Sequence, residues 1–292
     1  MCPFLREAKV RSCRRAAMRK LIPAALDTIA EERCATPAFA DCPVYQQNDE
    51  GDSECQPSCP LLSEQLMQYC SASSITHFVP YSEAVLTRCG TSAHRYCDLY
   101  LGMNPSEPDQ ESQDNIVIPE RLRYSRNHWW IDESEDGLCH IGIDGFLARL
   151  LGSVDRVDFA TQPGITRPIA ILTTQGTEWQ MVFPERVRVK SCNVRLKSKP
   201  AKLTAGPYSV GWLFEAEQKP GLADSFMDAR AAQEWMDQDV RQLNQRLQDA
   251  NPGYAADGGM FVQGLLSMLD RNEALGIFND FCAPRATQGG NY

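Results

Sequence analysis

The sequence lacks the features that would place it in a membrane or on a nucleic acid. No run of apolar residues approaches the roughly 18 needed for a spanning helix, and the opening residues MCPFLRE contain no apolar signal core. We therefore expect a cytoplasmic protein with no membrane span, in which thiols stay reduced. The net charge is −9, whereas a general nucleic-acid binder needs a basic surface. We expect no nucleic-acid partner.

The common catalytic motifs are missing as well. The chain contains no nucleophile elbow, no Walker loop, no zinc-protease helix motif and no dinucleotide glycine fingerprint. Four histidines scattered over 292 residues offer little capacity for general-base catalysis. These absences favour a non-enzyme.

Cysteine, in contrast, is abundant, and eight of the twelve cysteines fall into two copies of one pattern. The first copy reads CPFLREAKVRSC…LIP…RCATPAFADCPVY and the second reads CPLLSEQLMQYC…FVP…RCGTSAHRYCDLY. Both follow C-x10-C-x18–20-C-x7-C, while most other positions differ. A repeat that keeps its sulfurs and changes the rest indicates that the sulfurs are the constraint. The candidate ligands are Cys2, Cys13, Cys34 and Cys42 in the first copy, and Cys59, Cys70, Cys89 and Cys97 in the second.

Four sulfurs can form disulfides, hold zinc or hold an iron–sulfur cluster. The short C-x2–4-C knuckles of zinc sites and the C-x2-C runs of common ferredoxins do not occur within the repeats. A Cys-Pro pair opens each copy, and Cys-Pro after a cluster ligand is familiar from ferredoxins. We expect two [4Fe–4S] clusters, with two zinc ions as the alternative. Cys55 has no counterpart in the first copy and is close enough to Cys59 in sequence to exchange with it as a ligand.

The repeats leave the grouping of the ligands open. We expect each copy to hold its own metal through its own four cysteines. The alternative is a swapped arrangement around a pseudo-twofold axis, in which the first cysteine pair of one copy joins the second pair of the other.

The expected fold class is α+β and multidomain. Apolar spacing predicts a helical pair of cysteine-rich repeats, including a basic first helix from Arg6 to Lys20 that could dock an acidic partner. A polar linker follows each of the two repeats. After Tyr124 the sequence predicts short strands with alternating apolar residues, and after Glu217 it predicts two amphipathic helical runs. The expected segments are 1–45 and 59–102 for the four-cysteine modules, 46–58 and 103–120 for the linkers, 121–217 for a β-rich domain, 218–284 for C-terminal helices and 285–292 for a tail.

Five strands and one short helix are expected in the β-rich domain. The strands are centred on the segments HWWI from His128, LCHIGI from Leu138, VDRVDF from Val154, IAIL from Ile169 and VRV from Val187. The helix begins after Asp144 and ends at Gly152.

Residues 124–217 resemble a known family. The order YSRNHWWIDESEDGLCHIGIDGFLARLLGSVDRVDF…PIAILTTQGTEWQMVFPERVRV…GPYSVGWLFEAE is similar to the glycine cleavage system H protein. The resemblance implies a barrel-sandwich hybrid fold. In that family a hairpin of the form E-S-x-K-A exposes a lysine that carries lipoic acid. Gly176 stands at the corresponding position here, so no lipoate is expected.

The sequence thus predicts a metal-binding accessory protein. In the first hypothesis two iron–sulfur clusters serve electron transfer or redox sensing, and the H-protein-like domain docks on a protein partner or a larger redox complex. In the second hypothesis zinc stabilises a structural adaptor that binds a protein partner.

Overall fold

A computed structural model of the chain describes residues 1–16, 22–23, 32–48, 57–74, 77–79, 88–103, 115–133, 137–162, 164–250 and 260–283. The chain divides into two compact units, residues 1–94 and residues 95–292. The division falls inside the second four-cysteine module. Each unit is described by itself below.

The first unit is built on an antiparallel sheet. Its four strands lie in the order β2-β1-β3-β4, and both cysteine repeats contribute to it. Short 3-10 turns at Arg33–Ala35 and Pro37–Asp41 lead into a one-turn helix, and a further 3-10 turn, Ser92–Tyr96, spans the division between the units. The elements are β1 (Leu5–Cys13), β2 (Ile22–Pro23), β3 (Leu62–Cys70), β4 (His77–Val79) and α1 (Pro43–Gln46).

The predicted helical character of the repeats is wrong, because the segments between the first two cysteines of each copy are strands. β1 and β3 pair antiparallel over nine residues each, from Leu5 opposite Cys70 to Cys13 opposite Leu62. The sequence pattern of one copy does not reveal this. A strand needs a partner for its backbone N–H and C=O groups, and here the partner is the other copy.

The pairing of the two repeats is symmetric. Leu5 and Leu62 are equivalent in the repeat, as are Cys13 and Cys70, and each pair is offset by 57 positions. Lys9 lies directly opposite its own equivalent, Leu66. A pseudo-twofold axis therefore passes through the middle of the β1–β3 ladder, which makes the two repeats halves of one sheet.

The basic segment of the first repeat is a strand rather than the expected helix, and the opposite strand partly neutralises it. Arg11 Nε lies 3.4 Å from Glu64 Oε2, and Lys9 Nζ lies 3.7 Å from Glu64 Oε1. Arg19 and Lys20 lie outside the described residues. Because these pairs are partly exposed, we assign them little stabilisation.

The second unit contains two antiparallel sheets. A three-stranded sheet has the order β11-β10-β8, and a six-stranded sheet has the order β5-β6-β7-β13-β12-β9. The strands are β5 (Arg123–Tyr124), β6 (Trp129–Glu133), β7 (Leu138–Ile143), β8 (Arg156–Phe159), β9 (Ile165–Thr166), β10 (Ile169–Thr174), β11 (Thr177–Val182), β12 (Val187–Cys192) and β13 (Phe214–Glu217). The helices are α2 (Asp98–Met103), α3 (Gly145–Leu151), α4 (Lys202–Ala205), α5 (Ala229–Ala250) and α6 (Arg271–Cys282), with 3-10 turns at Val194–Lys197, Ala223–Ser225 and Leu265–Ser267.

The two sheets share one hydrophobic core. Val157, Leu172 and Trp179 enter it from the three-stranded sheet, while Trp129 and Phe214 enter it from the six-stranded sheet. This mixed α/β arrangement of packed sheets agrees with the expected barrel-sandwich architecture. The five predicted strands and the short helix after Asp144 are confirmed. Strands β5, β9, β11 and β13 were not predicted.

The C-terminal helices complete the core of the second unit. Helix α5 buries Trp235, Met236 and Leu243, and α6 brings Phe278 within 5.0 Å of Trp179, measured between ring centroids. The first predicted amphipathic run is confirmed as α5. The second, predicted from Met260 to Phe278, reaches α6 only at its end, because residues 260–269 form loops and a 3-10 turn. Both helices pack on the sheets. Within the described ranges, no helix combines the length and apolar character that crossing a membrane requires.

Candidate functional site

Four cysteines of the first unit come from loops and strand ends that converge. Cys13 is the last residue of β1, Cys34 lies in the first 3-10 turn and Cys42 directly precedes α1. Cys59 belongs to the second repeat and precedes β3. Cys34 is the middle residue of a three-residue 3-10 turn, and the other three cysteines lie at or just outside the ends of regular elements.

Backbone hydrogen bonds fix Cys59 beside the first repeat. Its N–H donates to the Cys34 carbonyl at 2.9 Å, and its own carbonyl accepts from Leu62 N–H at 3.0 Å. Leu62 is in turn opposite Cys13 in the β1–β3 ladder. Two cysteines of the first repeat, Cys13 and Cys34, and one of the second therefore share a neighbourhood.

An apolar cluster surrounds these sulfurs. The rings of Phe39 and Tyr45 pack edge to face with centroids 4.9 Å apart, and Cys59, which is 6% exposed, lies in the same cluster. Cys34 and Cys42 pack against it. Thiols gathered in such surroundings are partly withdrawn from water.

Burial and mutual repulsion act on two of these thiols. Burial raises the pKa of Cys34 most, and the neighbouring thiolates of Cys59, Cys42 and Cys13 raise it further. Burial also raises the pKa of Cys59, against the backbone N–H of Leu61, with Cys13 and Cys42 adding to the increase. The same neighbours therefore act on both thiols, which agrees with the convergence of the backbone positions.

The repeat reproduces this arrangement around Cys2. Its N–H donates to the Cys89 carbonyl at 2.8 Å, the symmetric equivalent of the bond between Cys59 and Cys34. Its carbonyl accepts from Leu5 N–H at 3.1 Å, and Leu5 lies opposite Cys70. Cys97 directly precedes α2 in the second unit, as Cys42 precedes α1.

Two further residues, His94 and Cys55, lie close to the repeat cysteines in the sequence. His94 Nδ1 lies 2.6 Å from the Thr91 carbonyl oxygen, as a hydrogen-bonded histidine would. Cys55 lies outside the described residues. The eleven cysteines that the structure describes form no disulfides. Among all the described residues, no three or more histidine, cysteine, aspartate or glutamate side chains are placed to hold a metal ion.

The hairpin between β10 and β11 presents Gly176 at its tip. Thr174 pairs with Thr177, which leaves a two-residue turn, and both turn residues have positive φ, 45° at Gln175 and 78° at Gly176. Such a turn matches the twist of the flanking strands. A Cβ added at Gly176 would have no neighbour within 4 Å. The tip is thus accessible but carries no amine.

Lys190, on strand β12, forms an ion pair away from the hairpin tip. Lys190 Nζ lies 2.6 Å from Glu217 Oε1 on β13. That contact and the position of β12 in the other sheet separate Lys190 from the hairpin tip. Lys190 therefore does not substitute for an amine at Gly176.

A small cavity of about 180 Å³ lies beside the hairpin tip. The hairpin forms one wall, with Thr177 and Trp179 among its residues, and the C-terminal segment around Leu266 and Arg271 forms the other. The C-terminal extension thus covers the surface next to the tip.

Two buried histidines pair with carboxylates, which the sequence pattern did not indicate. His128 Nδ1 lies 2.8 Å from Asp144 Oδ2, and His140 Nε2 lies 3.3 Å from Glu215 Oε2. Both rings are inaccessible to solvent. His128 stacks on Phe146 at 4.2 Å between ring centroids, and His140 stacks on Tyr96 at 3.9 Å. We assign both pairs a structural role, because no substrate can reach them.

Buried thiols outside the repeats are also structural. Burial raises the pKa of Cys139 to about 12 and raises that of Cys282 well above its usual value. Burial raises the pKa of the half-buried Cys192 as well. Cys139 and Cys282 are therefore poor nucleophiles in the folded protein.

The comparisons with known proteins concern part of the chain. No family model matches it. It is 31% identical over 104 residues to the glycine cleavage system H protein of Nocardia farcinica, which spans 35% of this chain and 79% of the relative. It is 33% identical over 117 residues to that of Micrococcus luteus, spanning 37% of this chain and 91% of the relative. A solved H protein from Mycobacterium marinum matches with 21% identity and a TM-score of 0.36, covering 41% of this chain and 98% of that one.

Proposed function

We propose that this chain, which belongs to the glycine cleavage system H protein family, is a non-enzymatic accessory protein that carries two [4Fe–4S] clusters instead of lipoate. The clusters would serve electron transfer or redox sensing. The H-protein-like unit would dock the protein on a larger redox complex.

The observation that carries the proposal is the convergence of Cys13, Cys34, Cys42 and Cys59 in the first unit. The donor set consists of thiols alone, and it lies beside the apolar rings of Phe39 and Tyr45. Thiolate ligands in partly dry surroundings suit an iron–sulfur cluster. A bound cluster would place positive iron among thiolates that otherwise repel one another. When bound, such a cluster accepts and releases single electrons.

The fit of the group depends on mobility of the donors. As placed, the described side chains do not close on a metal ion. Cys34 lies in a 3-10 turn, while Cys42 and Cys59 lie just outside α1 and β3. We propose that side-chain rotation at these positions closes the four sulfurs on the metal without breaking the β1–β3 ladder.

The hairpin tip supports the proposal that this chain carries no lipoate. Lipoate attaches to its carrier through an amide, which needs a lysine amine. Gly176 supplies none, and Lys190 is paired with Glu217. We therefore propose that the domain is kept as a scaffold and that the redox group has moved to the first unit.

Anaerobic purification of the full chain tests the cluster directly. We expect a brown protein with roughly eight iron atoms and eight acid-labile sulfides per chain. Dithionite should bleach the visible absorbance and produce an electron paramagnetic resonance signal. A colourless protein with about two zinc atoms would reject the clusters and support the structural adaptor.

Coexpression with a lipoate ligase in the presence of lipoate tests the tip. We expect the intact mass to show no lipoyl group. Gly176→Lys is the matched variant: it adds an amine at the tip, where a new Cβ meets nothing within 4 Å, although the φ of 78° strains any residue other than glycine there. Lipoylation of the unaltered chain at any lysine between residues 124 and 217 would contradict the proposal.

A further inference from the structure

The two repeats exchange one ligand each. We propose that Cys13, Cys34 and Cys42 of the first repeat form one metal site together with Cys59 of the second repeat, and that Cys2 serves the other site beside Cys70 and Cys89. This inference rests on the proposed function, since it concerns the same sulfurs. It differs from independent modules and from an exchange of whole cysteine pairs.

The backbone contacts around Cys59 are the first argument. Cys59 precedes β3 of the second repeat, yet its N–H donates to the carbonyl of Cys34 in the first repeat at 2.9 Å. Cys2 makes the equivalent bond to Cys89 at 2.8 Å. Each first cysteine is thus tied to the third cysteine of the other repeat.

The sheet register is the second argument. β1 and β3 run antiparallel, so the end of β1 lies beside the beginning of β3, and Cys13 is opposite Leu62. The start of β1 lies at the other end of the ladder, where Leu5 is opposite Cys70. Cys2 precedes Leu5 by three residues, and Cys13 is eight residues beyond Leu5 on the strand. At a rise of about 3.3 Å per residue, eight residues of strand put roughly 26 Å between Leu5 and Cys13.

The hydrogen bond from Leu5 N–H to the Cys2 carbonyl keeps Cys2 at the Leu5 end of β1, so the separation excludes a shared site for Cys2 and Cys13. One cluster or one zinc ion holds its ligands within a few ångströms of a common centre. The independent-module grouping requires Cys2 and Cys13 to meet, and so does an exchange of whole pairs. The extended strand β1 prevents both.

The apolar cluster is the third argument. Cys59 lies in the cluster of Phe39 and Tyr45, and Cys34 and Cys42 pack against it. Phe39 and Tyr45 belong to the first repeat, so the second repeat's cysteine is inserted among first-repeat residues. Both sites therefore depend on the paired sheet, and neither repeat can build a site alone.

Metal content of single and double variants of the full chain tests the grouping, whichever metal is found. Cys13→Ser and Cys59→Ser should each lose about half of the metal, and the double variant should lose no more than about half. Combining Cys13→Ser with Cys2→Ser should remove nearly all of it. Cys192→Ser is the control and should retain the full content. Independent modules and an exchange of whole pairs both predict the reverse for the two double variants.

A thiol-crosslinking measurement covers the outcomes in which no metal binds or a variant loses its fold. Two variants of the full-length protein, studied without metal, keep only Cys13 and Cys59, or only Cys13 and Cys2, of the eight repeat cysteines. A short bis-reactive thiol reagent should crosslink Cys13 to Cys59 and leave Cys13 and Cys2 unlinked, as read from the intact mass and peptide maps. Crosslinking of Cys13 to Cys2, or no crosslink between Cys13 and Cys59, would overturn the inference, even if the proposed clusters are found. Absence of metal together with the expected crosslink would reject the proposed function and leave the shared arrangement standing.

Discussion

Asp144 offers the sharpest test of how the second unit is stabilised, because this buried carboxylate has two partners. Its Oδ1 accepts from Leu147 N–H at 3.0 Å and so caps α3, while its Oδ2 lies 2.8 Å from His128 Nδ1. Loss of an N-cap costs about 1 kcal/mol. Leaving a buried polar group without its partner costs about 1–3 kcal/mol. Asp144→Ala should therefore lower the free energy of unfolding by about 2–4 kcal/mol.

Urea unfolding followed by tryptophan fluorescence measures this effect. All five tryptophans lie in the second unit, so the signal reports on that unit alone. Asp270→Ala is the matched control. Asp270 caps α6 by accepting hydrogen bonds from the Asn272 and Glu273 N–H groups, but it is exposed and is not paired with a buried histidine. Asp270→Ala should therefore lower the free energy of unfolding by clearly less than Asp144→Ala. Asp144→Asn, which keeps a capping oxygen and can still bond to His128, should recover most of the loss. Equal costs for Asp144→Ala and Asp270→Ala would refute the reasoning.

The remaining predictions concern packing, thiol reactivity and pH. In Gly142→Ala the new Cβ would overlap the Trp130 indole, so the free energy of unfolding in the same urea assay should fall by about 1–3 kcal/mol. Gly102→Ala is the control, because its new Cβ meets no neighbour and the change should be neutral or slightly stabilising. With a pKa of about 12, Cys139 is ionised at pH 8 in only about one molecule in ten thousand. Burial also raises the pKa of Cys282 well above its usual value. Alkylation of the folded protein, mapped by peptide mass, should therefore leave both thiols unmodified until the protein is unfolded. Labelling of either in the folded protein would contradict their burial. The Glu273 and Asn272 backbone N–H groups lower the pKa of Asp270, so its charged form contributes stability above its unfolded pKa and loses that contribution as the pH falls. The difference in urea midpoint between the unaltered chain and Asp270→Asn should therefore shrink between about pH 6 and pH 3; a constant difference would argue against a charge contribution.

The elements that the sequence predicted are those whose signal is local. Helix α3 was visible because Gly152 can end it, and Gly152 indeed has a positive φ of 68°. α5 was visible because its apolar residues recur at helical spacing, whereas only Phe278 of the second predicted run lies in α6. β5 and β9 are two residues long, which is too short for a period of two to show. The position of Gly176 at a hairpin tip followed from the resemblance and is confirmed by its turn.

The first unit was mispredicted for a non-local reason. Leu5 and Val10 are buried and were interpreted as one helix face, but they lie on a strand whose partner is 57 positions away in the repeat. A hydrophobic pattern within one copy contains no information about pairing with another segment. The same limitation hid the contact of Cys59 with Cys34, since the repeat gives spacing within each copy and not the arrangement between copies. His128 and Asp144, 16 residues apart, meet only because β6 pairs with β7.

The central claim is that the redox group of this H-protein relative is held by the duplicated cysteines and not by the hairpin tip. A native mass spectrum of the full chain, purified without oxygen from cells that contain an active lipoate ligase, tests both halves at once. We predict a folded species heavier than the polypeptide by two four-iron clusters, which returns to the unmodified polypeptide mass after acid denaturation. A metal-free native mass combined with a lipoyl adduct that survives denaturation would contradict the account.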